Sequence, residues 1–146
     1  MIMDRLEQVN QLLSDKHLDA LVVLSDFNRR YLSQFTGTSG ALIITSEKRI
    51  LLTDFRYMDQ ASQQATEFNV INQDGNLLDA IKSHLQELNV ENVGFEGNLV
   101  SYDTYLKLSK APISLISVSG AIEEIREVKT QDEIQIIQKA AEIVDE

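Results

Sequence analysis

Three arginines, Arg29, Arg30 and Arg56, stand near aromatic residues at the two ends of one stretch running from Asn28 to Tyr57. A guanidinium presents paired donors that match a carboxylate, so arginines in such surroundings suit carboxylate recognition. The other reading is a local ion pair, for which the chain offers 23 Asp and Glu residues. Gly37-Thr38-Ser39-Gly40 has no lysine after it, lacks dinucleotide spacing and leads into an apolar run. It therefore reads as a turn and not as a phosphate loop. Ser39 fails as a nucleophile because a G-x-S-x-G elbow needs glycine where Ala41 stands. The two histidines, His17 and His84, are isolated, show no metal-ligand spacing and read as surface or capping residues. Asp54 reads as a helix cap, not a metal ligand.

The elements that must position these groups follow from periodicity. Ile2, Leu6, Val9 and Leu13 recur at helical spacing. Asp19–Leu24 is short and nearly all apolar, as a strand buried on both faces would be. Ala41–Thr45 and Arg49–Thr53, joined by Ser46-Glu47-Lys48, predict a hairpin, and the glycines at 37 and 40 supply the tight bend before it. Asp54 caps a modest helix with Tyr57, Ala61 and Ala65 on one side. Phe68–Ile71 is a strand ending at Asp74-Gly75, and Asn76 caps a helix striped by Leu77, Ile81, Leu85 and Leu88. Asn92–Glu96 is a strand, Ser101 starts a helix, Pro112 follows its end, and Ile113–Val118 alternates as a strand. Polar charge interrupts the pattern over Gly120–Lys129. A final helix opens at Thr130 with a capping box to Glu133. Its apolar seam, Ile134, Ile137, Ala141 and Val144, predicts self-association through that helix.

At 146 residues and 43% hydrophobic content, the chain is one domain's worth of globular protein. The absence of cysteine removes disulfides, thiolate catalysis and Cys-ligated zinc, and fits a reducing cytosol. The net charge of −10 argues against a nucleic-acid partner. Half of it lies in Ala121–Glu146, where eight acids face three bases. No apolar run approaches the ~18 residues of a membrane helix, and no signal region opens the chain. The expectation is a soluble, cytoplasmic protein without a membrane partner.

The stretch from Asn28 to Tyr57 also carries a resemblance. Asn28, Tyr31, Leu32, Phe35, Thr36, Gly37, Gly40, Ala41 and Leu42 meet the letters of N-x-x-Y-L-x-x-F-T-G-x-x-G-A-L. Asp54, Arg56 and Tyr57 then meet D-x-R-Y. With Val93–Glu96, Ile125-Arg126, Val128-Lys129 and Glu133-Ile134, the chain resembles the amino-terminal domain of the creatinase, prolidase and aminopeptidase P family. Phe55 stands where that family often has glycine, and Arg29 and Arg30 fall at variable letters.

The resemblance implies an α/β fold of three layers, a mixed sheet of about six strands with helices on both faces and a ribonuclease-H-like pattern. It implies residues 1–126 as the amino-terminal domain, and 127–146 as the linker and first helix of a missing catalytic pita-bread domain. By this reading the chain is the non-catalytic part of a metallopeptidase acting on Xaa-Pro bonds, with no cofactor of its own. Two divalent metal ions (Mn, Co or Zn), held by carboxylates and one histidine, would belong to the missing domain. The partners implied are that catalytic domain, a second copy in a homodimer, and short proline-containing peptides. Asn28, Tyr31, Arg56 and Tyr57 are the matched positions expected to face the substrate cleft. A catalytically silent relative acting as a binding or assembly module, and a creatinase-like hydrolase of small guanidino compounds, share the same domain.

Overall fold

The computed structural model describes residues 2–126. The helix expected from Thr130, and the self-association assigned to it, lie outside them. Helix α1 (Ile2–Asp15) buries Leu6, Val9 and Leu13. It ends at His17, whose φ of 56° is left-handed. The Leu18 amide then donates to the Leu13 carbonyl at 2.8 Å and the His17 amide to Ser14 at 3.2 Å. This is the paired C-terminal closure that usually takes glycine, so His17 is a capping residue.

Strands β1 (Ala20–Val23), β2 (Ala41–Ile44) and β3 (Arg49–Thr53) form the centre of the sheet. They are joined by β4 (Asn69–Asn72), β5 (Asn92–Phe95) and β6 (Ser114–Ser117) in the order β4-β3-β2-β1-β5-β6. Strand β2 runs against both neighbours, with Val22 opposite Ile43 and Leu42 opposite Leu51. The β3–β4, β1–β5 and β5–β6 pairings are parallel. One antiparallel strand inside an otherwise parallel sheet is the expected ribonuclease-H-like pattern.

The sheet separates two cores. Leu21, Val23, Leu42, Ile44 and Leu51 face one side with α1, Leu32 of α2 (Asp26–Ser33) and Ala61 of α3 (Met58–Gln64). Ala20, Val22, Ile43, Ile50 and Leu52 face the other with Ile81 and Leu85 of α4 (Leu77–Glu87) and Leu108 of α5 (Tyr102–Leu108). Each buried Leu, Ile or Val contributes roughly 1.5–3 kcal/mol, so a strand buried on both faces has no solvent side to alternate with. The caps follow the sequence. Asn76 accepts from the Leu78 and Asp79 amides, Ser101 from Thr104, and Asp54 from Arg56 at the head of a 3-10 turn, Phe55–Tyr57.

Two elements differ from expectation. Helix α2 occupies the segment left unassigned between β1 and the hairpin. Its buried residues are Asn28, Arg29, Leu32 and Ser33, so its inward face is mostly polar and shows no apolar period. Residues 121–126, within the charged interruption, are helical. Ile122 is buried in the first core, with Ala121 and Ile125 packed against it.

Asp19 ties the start of β1 to β5 by accepting the Glu91 and Asn92 amides, both at 2.9 Å. Those bonds, Asn92's foremost, hold its carboxyl below the usual carboxylate range. A carboxyl lowered by folding adds stability above its unfolded pKa of ~3.9, and that stability is lost as pH falls through the lower folded value. Asp19→Asn is therefore expected to destabilise the chain at neutral pH and to flatten its loss of stability below about pH 4. Urea midpoints measured from pH 7 to pH 3 check this; equal slopes for both proteins in acid would contradict it.

Candidate functional site

Because β1, β3 and β5 run parallel, the loops that follow them gather at one end of the sheet, where α/β proteins place their sites. The loop entering antiparallel β2 joins them there.

Glu96 directly follows β5 and is only 3% exposed. A carboxylate in such a place must find donors, and Glu96 finds four. Its Oε1 accepts the Leu24 and Ser25 amides at 2.7 and 3.0 Å. Its Oε2 accepts Ser25 Oγ at 2.6 Å and Asn28 Nδ2 at 2.7 Å. Ser25, the N-cap of α2, makes no side-chain cap of its own. The anion that steadies this helix start sits just after β5, 71 residues further along the chain. Asn28, 0% exposed, also donates to Glu123 Oε1 at 2.9 Å and accepts Arg126 Nη1 at 3.0 Å. The Arg126 guanidinium lies 5.4 Å from the Phe27 ring centre and 6.0 Å from that of Tyr31. Arg5 covers Tyr31 at 4.2 Å and donates to its carbonyl at 2.8 Å. Tyr31, half-buried, is thus flanked by two arginines, and its hydroxyl has no partner among the described residues.

Arg29 is 2% exposed and faces the loop before β2. It donates to the carbonyls of Gly37 at 2.8 Å and Gly40 at 3.0 Å, and pairs with Asp26 at 2.9 Å. The local-ion-pair reading thus describes Arg29, and its Nη1 and Nη2 also staple the loop through the Gly40 and Gly37 carbonyls. The glycines in that loop are there for close approach. A Cβ on Gly37 would fall into the Phe35 ring, and one on Gly40 would lie 2.8 Å from the Leu52 carbonyl oxygen. The loop presents Thr38, whose hydroxyl meets that of Tyr57 at 2.7 Å. Tyr57 also packs edge-on against Phe35, with ring centres 5.9 Å apart.

Arg56 is exposed and holds Asp54 through two bonds, Nε to Oδ1 at 3.0 Å and Nη2 to Oδ2 at 2.8 Å. The Arg56 guanidinium holds the Asp54 carboxyl below its ordinary range, and Asp54 raises Arg56 in turn. Phe55 beside them is 77% exposed. Arg30 is exposed on α2, and His84 lies 3.8 Å from Glu87 on α4.

The four expected residues therefore form two groups. Asn28 and Tyr31 belong with Glu96 and Arg126, and Arg56 and Tyr57 belong with Asp54 and Thr38. Asn28 and Tyr31 follow β1, and Arg56 and Tyr57 follow β3, two strand spacings away, about 10 Å. A groove of ≈ 560 Å³ between α1 and residues 117–125 is lined by none of the four.

Residues 5–128 match the family described as the creatinase/prolidase N-terminal domain. The chain belongs to that family. It is 32% identical over 144 residues to the uncharacterized peptidase YqhT of Bacillus subtilis (strain 168), covering 97% of this chain and 41% of that protein. The Xaa-Pro dipeptidase from Bacillus anthracis superposes with a TM-score of 0.82 at 29% identity, over 86% of this chain and 36% of that one. The N-terminal domain of cytoplasmic peptidase PepQ from Mycobacterium tuberculosis H37Rv gives 0.78 at 29% identity, covering 84% of this chain and 98% of that structure. The chain thus spans about two-fifths of the length of its curated relative YqhT.

Within this creatinase/prolidase N-terminal domain, no three His, Asp or Glu side chains among the described residues are grouped to hold a metal ion. The donor set here does not fit the divalent ions that the family implies. Sequence reasoning missed the role of Glu96, which it treated only as a motif letter. The signal was an acid directly after the apolar run Val93–Phe95.

Arg29→Met is expected to leave two buried carbonyls without donors, on the order of 3 kcal/mol in denaturant unfolding. Arg29→Lys restores little, since an ammonium lacks the planar fork that reaches both. Full stability in Arg29→Met would contradict the staple.

Proposed function

We propose that this domain is the non-catalytic amino-terminal part of a metal-dependent Xaa-Pro peptidase, of aminopeptidase P or prolidase type. In that role it helps build a dimer and walls off an active site carried by a downstream domain, which limits substrate length. The observation that supports this most is the family match over 5–128, together with relatives named as peptidases that are more than twice as long, an Xaa-Pro dipeptidase among them. The ions, two of Mn, Co or Zn, would be held by residues of the downstream domain, where they activate water. Residues 1–126 are the domain in this reading, with 127–146 leading to the catalytic one.

Tyr31, Arg56 and Tyr57 are the side chains proposed to face short proline-containing peptides; Asn28, expected to join them, is fully buried on α2 and serves as support in the Tyr31 group alone. Asp54 holds Arg56 in one orientation, which lowers the entropy lost when the guanidinium meets a carboxylate. A cytoplasmic location is supported by the likeness to PepQ of Mycobacterium tuberculosis, a cytoplasmic peptidase. Among the described residues no helix is long and apolar enough to cross a membrane. The relatives' names favour the peptidase over a silent assembly module or a guanidino-compound hydrolase.

Two outcomes test the reading. The purified 146-residue chain is expected to hydrolyse no Xaa-Pro peptide, with or without manganese or cobalt, while the longer protein loses activity on chelation and regains it with a divalent ion. Metal-dependent turnover by the chain alone would overturn the assignment. In the longer protein, Arg56→Ala is expected to lower kcat/KM roughly tenfold. Tm should hardly move, because an exposed ion pair adds little stability. Unchanged kinetics with a lowered Tm would mean that Arg56 serves structure alone.

A further inference from the structure

The Asn28 amide touches three charged groups, and their chemistry dictates which way it points. An amide has two N–H donors on one side and an acceptor oxygen on the other. Glu96 and Glu123, as carboxylates, only accept, and Asn28 Nδ2 donates to both, at 2.7 and 2.9 Å. Arg126 only donates, and Asn28 Oδ1 receives it at 3.0 Å. Neither aspartate nor leucine at this position meets both demands, and Asn28 has no exposed surface through which water could substitute. Glu96 in turn cannot swing away without releasing the Leu24 and Ser25 amides at the head of α2.

Two of the three charged groups, Glu123 and Arg126, lie on the helical residues 121–126. That segment follows Gly120, whose φ of +80° marks a turn open to rotation because glycine has no Cβ. The angle of 121–126 depends on what the segment is fastened to. Ile122 fastens its apolar side to the core. Asn28 fastens its polar side, and Phe27 and Tyr31 of the same helix α2 lie beneath Arg126.

We propose that Asn28 is a positioning residue whose amide, oriented by Glu96, sets the angle at which segment 121–126 leaves the sheet. If the peptidase reading holds, the same contact orients the downstream domain over the end of the sheet that carries Tyr31 and Tyr57. The positioning itself rests only on this chain's geometry.

Amide hydrogen exchange on the 146-residue chain, followed by mass spectrometry, tests the positioning without reference to peptidase activity. Asn28→Asp sets a third carboxylate against two others, and is expected to speed exchange in 121–126 at least tenfold while β2 and β3 stay within twofold. Adding Glu96→Gln returns a donor facing the new carboxylate and is expected to recover at least half of the lost protection, which a residue serving only as filler would not allow. Should Asn28→Asp fail to fold, Arg126→Met carries the test: faster exchange in 121–126 with α2 unchanged supports the proposal. Unaltered exchange of 121–126 in Arg126→Met, or no recovery on adding Glu96→Gln, would overturn it.

Discussion

A carboxylate taken out of water must be met by donors, and at the end of β5 this requirement organises everything around it. Glu96 receives two backbone amides, a hydroxyl and a carboxamide within 3.0 Å. No guanidinium or ammonium is among these four. The negative charge is balanced by partial charges at a helix start, an arrangement in which the helix and the anion each stabilise the other. Remove the carboxylate and α2 has no cap, because Ser25 offers none. Remove α2 and the carboxylate stands unpaired in the interior.

A second buried charge works beside it with the opposite sign. Arg29 fastens the loop before β2 through backbone carbonyls, as Glu96 fastens the segment after β1 through backbone amides. Together the two ions fix both connections of α2 to the sheet. The residues around them then stand on rigid ground: Thr38 on the stapled loop shares a hydrogen bond with the half-buried Tyr57, and the half-buried Tyr31 lies between arginines on a helix held at its head. Rigid placement of this sort suits a surface that must exclude or admit other molecules by shape.

The sequence conveyed this framework unevenly, for physical reasons. Strands such as Ala20–Val23 and Ala41–Ile44 were legible because burial on both faces leaves an unbroken apolar run. Asn76, Ser101 and Asp54 were legible as caps because their side chains act on amides two or three residues ahead. Helix α2 was not, since Asn28, Arg29 and Ser33 face inward and mimic a surface segment. At the site, the motif letters identified Asn28, Tyr31, Arg56 and Tyr57 without revealing that they form two groups. For Arg29 the sequence offered both carboxylate recognition and a local ion pair, because it does not record that the fork meets the carbonyls of Gly37 and Gly40.

The cap of α2 has a consequence for how the chain assembles. The bonds that close this site join residues 68 to 98 positions apart. The β2–β3 hairpin completes its pairing locally, and on a ribosome it emerges long before Glu96 does. Until β5 docks beside β1, residues 26–33 lack both their anion and their neighbour. Loop closure over such distances is slow compared with hairpin formation. The element bearing Tyr31 is thus among the last to take its shape, fixed only once β5 has joined the sheet.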